Sequence, residues 1–232
     1  MTGMKLLYED KEIIVCEKPA GTASQNERGF AADMVSLLMT HEKESGVKQP
    51  YIGVVHRLDK MVGGVMVYAK NKSATANLSK QIAQHKVKKK YYAVVMGIPE
   101  TQNGVMEDYL VRDGRTNTSG IAGKNEKDAK PAKLEYRVLK TKEITSGGTD
   151  ITCSLLEVEL FTGRHHQIRV QMASRGLPLY GDRKYNPDGK ILPAYRNIGL
   201  YSHLLGFSHP VTGKWMEYQA SPESGIFLEM IE

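Results

Sequence analysis

The run His56-Arg57-Leu58-Asp59 sets a cation two residues ahead of a carboxylate. It lies between the loop residues Gln49-Pro50 and the apolar run Val65-Met66-Val67. An ionised aspartate at the edge of buried strand needs a cationic partner or a chemical task. The grouping of His, Arg and Asp invites comparison with the protein-kinase catalytic loop, and fails it. That loop has Asp directly after Arg and an Asn five residues further on; here Leu58 intervenes and Gly64 holds the second place. Neither Asp-Phe-Gly nor GxGxxG occurs in the chain.

Three further segments carry reactive or charged side chains. In Gly163-Arg164-His165-His166-Gln167-Ile168-Arg169, the two arginines keep their charge when buried and fork onto carboxylates and phosphates. Adjacent histidines are expected to diverge on either a helix or a strand. With no Cys or Glu at ligand spacing, no metal site is expected there. Lys80, Lys86, Lys88, Lys89 and Lys90 fall in an acid-free stretch that runs into Tyr91-Tyr92. Such a run suits phosphates and base stacking, but by itself it reads more simply as a solvated helix end leading into a strand. Leu200 to Pro210 alternates His203 and His209 with Leu204, Leu205 and Phe207, the pattern of a core strand with satisfied histidines.

The elements that must position these residues follow from periodicity and punctuation. Two short strands, Lys5–Tyr8 and Ile13–Glu17, flank the turn Glu9-Asp10-Lys11. A helix is expected from Asp33 to Met39 and a buried strand from Gly64 to Ala69. Ser73 is expected to cap a second helix that runs to about Gln84, with Ala74, Leu78 and Ile82 on one face. Tyr91–Met96, Gly104–Leu110, Leu134–Leu139 and Ile151–Phe161 read as strands, the last as the arm of a hairpin tipped by Gly147-Gly148. Asp113–Lys133, rich in Gly, Asn, Thr, Ser and Lys, is expected as a long loop or mobile flap. Gln167–Ser174 is a short helix. Leu200–Phe207 and Trp215–Gln219 are strands around the turn His209–Gly213. A C-terminal helix is expected to start at Ser221-Pro222-Glu223. Strands cluster without regular helical crossovers, so the fold class is α+β with a mixed, largely antiparallel sheet.

Composition bounds the function. The 232 residues are 41% hydrophobic and 25% charged, ordinary for a globular protein with a sizeable core. No stretch has the apolar length of a membrane span, and the N-terminus lacks an export signal. Cys16 and Cys153 are far apart and outside any CxxC, which argues against disulfides and structural zinc and suits a reducing cytoplasm. The net charge of +6 points weakly to polyanions.

Taken in order, these segments resemble the RluA-type family of RNA pseudouridine synthases over nearly the whole chain. Leu6–Asp10 and Ile13 to Gly21, ending Glu17-Lys18-Pro19-Ala20-Gly21, look like the family's opening. His56–Asp59 with Gly64 and Val65 looks like its catalytic motif, Lys89–Gly97 like its second, and Gly163–Val170 like its third. Gly181-Asp182-Arg183-Lys184-Tyr185 and Phe207-Ser208-His209-Pro210 complete the order.

The resemblance implies a pseudouridine synthase catalytic fold in two lobes with flanking helices. It implies one catalytic domain over residues 1–232, without an N-terminal S4-type RNA-binding module. Asp59 matches the catalytic aspartate, Arg169 the arginine that pairs with it, and Tyr91 the tyrosine that contacts the flipped uracil. Ile168 matches an apolar residue beside that site, and Arg57 an arginine that occupies the gap left by the extruded base. Arg164, His166, Lys88 and Lys89 are expected at the RNA. The implied protein is a cytoplasmic monomer acting on structured RNA, ribosomal or transfer, without metal or other cofactor.

The chemistry agrees. Isomerisation breaks the bond from uracil N1 to ribose C1′ and joins C5 to C1′, with no net redox change. The base must leave its stack, at a cost of roughly a few kcal/mol. An ionised Asp59 can act at C1′ as nucleophile, or as base and electrostatic stabiliser. The chain also departs from the family. Val62-Gly63-Gly64 stands where Thr-Ser-Gly is usual, His165 and Leu134 where Thr is usual, and Gln171 where His is usual. The alternatives are a catalytically silent RNA-binding or chaperone protein on the same scaffold and, far behind, a hydrolase with Asp59 as nucleophile.

Overall fold

The computed structural model describes residues 4–25, 32–146, 148–186 and 198–231. In chain order the elements are β1 (Lys5–Glu9), β2 (Ile13–Lys18), α1 (Met34–Glu44), β3 (Gly53–Val54), β4 (Gly63–Ala69), α2 (Lys72–Ala83), β5 (Lys88–Met96) and β6 (Asn103–Asp113). There follow β7 (Thr118–Ala122), β8 (Lys130–Ser146), β9 (Thr149–Leu160), α3 (Gln167–Ala173), β10 (Leu200–Ser208), β11 (Trp215–Gln219) and α4 (Ile226–Ile231). The chain forms two compact units. One is Met1–Lys89 with Ser202–Ser221, the other Lys90–Tyr201 with Pro222–Glu232.

In the first unit β2 pairs antiparallel with β1 and with β4, β3 pairs with β4, and β10 pairs with β11. Strand alternation sends Ile13, Val15, Val65 and Val67 to one face, where they pack with Ala74 and Leu78 of α2 and with Leu205 and Phe207. Ile14, Cys16, Met66 and Tyr68 take the other face and are equally buried. With both faces covered, β4 is buried at every position, which is why it reads as a continuous apolar run. Asn71, not Ser73, caps α2. Its backbone is extended and its side chain accepts the Ala74 N–H at 2.8 Å. Gln81 then fixes α2 to the end of β10, donating to the Ser208 carbonyl and accepting the Ser208 N–H.

His203 and His209 are satisfied, as expected. His203 Nδ1 lies 2.7 Å from the Ala220 carbonyl, and His209 Nε2 lies 2.8 Å from Asp10 Oδ2. Glu9, His41 and Glu42 converge as the one group at metal-ligand spacing among the described residues. Lys70 Nζ stands 2.8 Å from both carboxylates, so an ammonium already supplies the cation.

In the second unit β5, β9, β8, β6 and β7 follow one another as antiparallel neighbours. Three expectations are corrected here. The 113–133 stretch is not a structureless flap: β6 runs to Asp113 and returns as β7, paired from Asp113↔Thr118 to Tyr109↔Ala122. β7 escapes sequence reading because Thr-Ser-Gly-Ile-Ala carries one large apolar residue, and that residue, Ile121, is exposed. Of the basic run, Lys80 lies in the last turn of α2 as expected, but Lys88, Lys89 and Lys90 are strand and not helix end. α2 stops at Ala83, His85 takes a left-handed φ of 56°, and β5 begins at Lys88. The last helix starts at Ile226, after Gly225 at φ 68°, rather than at Pro222. Of the expected β8–β9 hairpin tip, Gly147 lies outside the described residues; Gly148 has φ 82°.

Candidate active site

The segment around Asp59 is held by backbone capture at successive points. His56 Nε2 accepts the Val67 N–H at 3.1 Å, tying the segment to β4. Burial and the nearby Lys89 ammonium push the His56 imidazole down to about 4, so it stays neutral and keeps that acceptor. The Ser24 hydroxyl donates to the Leu58 carbonyl at 2.8 Å and receives the Leu58 N–H at 3.0 Å. Tyr68 donates in turn to the Ser24 carbonyl at 2.9 Å.

Lys18 is fully buried, and its ammonium donates to the carbonyls of Pro19, Thr22 and Lys60 at 3.1, 2.6 and 3.1 Å. Gly21 N–H also donates to the Lys60 carbonyl, and Val62 N–H closes a turn onto the Asp59 carbonyl. Asp59 therefore stands on a backbone fixed on both sides. It is half-buried, Arg57 is exposed, and Leu58 packs inward. Immediately downstream, Gly64 has φ 120°, and a Cβ there would run into the Ser202 backbone, so only glycine fits. Val62, one of the departures from the family pattern, is a buried core residue.

Lys88 and Lys89 alternate along β5 to opposite faces. Lys88 Nζ contacts Glu217 Oε1 at 3.1 Å, and the same oxygen accepts the Trp215 indole N–H at 3.0 Å.

Tyr91, Ile168, Arg169, Arg164 and His166 belong to the second unit. Tyr91 is buried in β5 opposite Val158. Gln167 organises the turn into α3. Its Oε1 accepts the Thr162 hydroxyl and the Arg164 N–H, and its Nε2 donates to the Lys133 carbonyl. Arg164 Nε donates to the Pro131 carbonyl at 2.8 Å. His166 adopts a left-handed φ of 53°. This overturns the expected divergence of the two histidines, whose rings stack at 3.7 Å. Each ring is anchored at Nδ1, His165 to Ser119 Oγ of β7 at 2.9 Å and His166 to Tyr185 Oη at 2.8 Å.

Ile168 is buried, and Arg169 forks onto Asp182, Nε to Oδ2 at 2.8 Å and Nη2 to Oδ1 at 2.7 Å. Gln171, another departure, donates to Asp108 at 2.7 Å and so ties α3 to β6.

Sequence reasoning missed Lys18, Ser24, Tyr68, Ser119, Asp182 and Tyr185 as supports of this apparatus. Lys18, Asp182 and Tyr185 did lie inside motifs singled out along the chain. Ser24 and Ser119 left no local signal, because each acts through contacts distant in sequence.

Comparison with known proteins places the chain. Residues 12–174 match the family model described as RNA pseudouridylate synthase. An uncharacterized RNA pseudouridine synthase of Aquifex aeolicus is 36% identical over 227 residues, covering 93% of this chain and 68% of the relative. The large-subunit ribosomal pseudouridine synthase D of Zymomonas mobilis is 32% identical, covering 94% of this chain and 68% of its own length. The human protein RNA pseudouridylate synthase domain containing 4 shares the fold, with a TM-score of 0.75 at 22% identity over 97% of this chain and 90% of that one. The chain belongs to the RNA pseudouridine synthases, of the RluA type.

Proposed function

We propose that this enzyme isomerises uridine in large-subunit ribosomal RNA, with Asp59 as the catalytic carboxylate. Its activity class comes with the family; the ribosomal substrate is inferred from relatives, since those of Zymomonas mobilis and Nitrosomonas europaea both carry large-subunit ribosomal names. The observation that carries the assignment of Asp59 is its mounting. Capture of His56, Leu58 and Lys60 by Val67, Ser24 and Lys18 fixes the backbone on which the carboxylate stands. That is the preorganisation a nucleophile or electrostatic stabiliser requires.

In this reading Arg169 is the active-site arginine, Tyr91 and Ile168 face the flipped base, and Arg57 enters the vacated stack. Arg164, His166, Lys88 and Lys89 meet the RNA. The reaction conserves redox state and calls on no metal or other cofactor. The enzyme acts as a monomer in the cytoplasm, where its two buried thiols, Cys16 and Cys153, stay reduced. Residues 1–232 work as one catalytic domain.

The test is to map pseudouridine across the ribosomal and transfer RNA of a deletion strain complemented with wild type or Asp59→Asn. The expected result is loss of a large-subunit site in the deletion strain, restored by wild type alone. Restoration by Asp59→Asn would overturn the role of Asp59, and loss confined to transfer RNA would overturn the substrate.

A further inference from the structure

We infer that Trp215, with Lys88 beside it, is a stacking platform for an unpaired nucleobase of the substrate RNA. The inference rests on the reading that Lys88 meets RNA. It begins with strand alternation in the first unit. β11 turns Met216 and Tyr218 towards the core, where they pack with Leu205 and Phe207. Trp215 and Glu217 therefore point the other way. On β5, Lys88 also points away from the face on which Lys89 nears His56. Trp215 is the single tryptophan of the chain, and it is 46% exposed.

The ring is held in place. Its indole N–H donates to Glu217 Oε1 at 3.0 Å, and Lys88 Nζ stands 3.1 Å from the same oxygen. Gly206 makes the recess in which these side chains meet. A Cβ there would stand 2.8 Å from Trp215 Cζ2, 3.1 Å from Glu217 Cγ and 3.3 Å from Lys88 Cβ. One side of the indole thus rests against the sheet while the other meets water. An exposed lysine–glutamate pair adds little to stability, so folding does not account for the arrangement. Single-stranded RNA does. A pre-oriented aromatic face takes a base of any sequence, and an ammonium at its edge takes the phosphate. Lys86 and Lys214, just before β5 and β11, are both exposed and add positive charge. A protein segment covering the ring would have to desolvate Lys88 and Glu217 as well.

The single tryptophan makes the test direct. A short single-stranded RNA oligonucleotide should quench its fluorescence. The same sequence annealed into a duplex should not, since paired bases keep to their own stack. Large-subunit ribosomal RNA from a deletion strain, labelled with tritium at uracil C5, then reads turnover as released tritium. W215A should bind this RNA about ten-fold more weakly and raise KM to match, with kcat within about two-fold, because the ring touches no reacting atom. W215F keeps an aromatic face and should stay within about three-fold of wild type. The W215A loss should be the same factor at every salt concentration, because stacking releases no counterion, whereas K88A lowers the salt slope.

Unchanged fluorescence on binding single-stranded RNA, or W215A at wild-type affinity and KM, overturns the inference. So does a W215A loss that carries the reduced salt slope of K88A, which would make the ring a support for Lys88 alone. If W215A does not melt cooperatively, W215T, whose side chain suits a strand, takes its place with the same criteria. An unchanged salt slope in K88A would sink the reading of Lys88 and the inference with it. W215A at wild-type affinity beside an altered K88A slope would sink only the platform.

Discussion

At the scale of single residues, the segment around Asp59 is held by side chains that capture backbone. Lys18 satisfies three carbonyls from a fully buried position. Lys18→Met removes the charge and orphans those carbonyls, which costs about 3 kcal/mol of stability. Urea unfolding measures this, and a loss below about 1 kcal/mol would show the ammonium to be dispensable. His56 gives a prediction in pH. Its folded-state value is about 4 against an ordinary 6.5, so the unfolded chain binds the extra proton first. The stability contributed by the neutral ring is complete above pH 6.5 and is lost as pH falls towards 4. Thermal melts of wild type should drop across that window, and His56→Gln should flatten the fall. An unchanged slope in His56→Gln would assign the effect elsewhere.

At the scale of elements, two positions test how local sequence sets local structure. Asn71 caps α2 through its extended backbone, and Asn71→Ala should lower stability by about 1 kcal/mol. Ser73→Ala should change it by less than half as much, because Ser73 sits inside the first turn. β5 separates the two lysines of the basic run. Lys88 contacts Glu217, and Lys89 lies on the opposite face, close enough to His56 to depress its protonation. Lys88→Ala and Lys89→Ala should each reduce the slope of log affinity for RNA against log salt by about 1. An unchanged slope in either variant would remove that lysine from the interface.

At the scale of the whole molecule, acid stability adds a second group. Partial burial pushes the Glu9 carboxyl up, but hydrogen bonds from Lys70 and His41 outweigh that and hold it at about 2, against an ordinary 4.5. Its stabilisation is present above pH 4.5 and lost as pH falls towards 2. Glu9→Gln should thus leave the fall between 6.5 and 4.5 intact and reduce the one below it.

By itself, the sequence determined the family, the α+β class and the motifs that carry chemistry. Those are properties of residue type, order and spacing: β4 announces itself as a continuous apolar run and β11 through alternation. Only the tertiary structure decided what supports each motif. The Ser24 hydroxyl bridging Leu58, Asp182 held against Arg169, the His165 contact with Ser119 and the return of β7 all join residues distant along the chain. No local pattern encodes such contacts, because the hydrogen-bond partner of a polar side chain is chosen by the folded backbone around it.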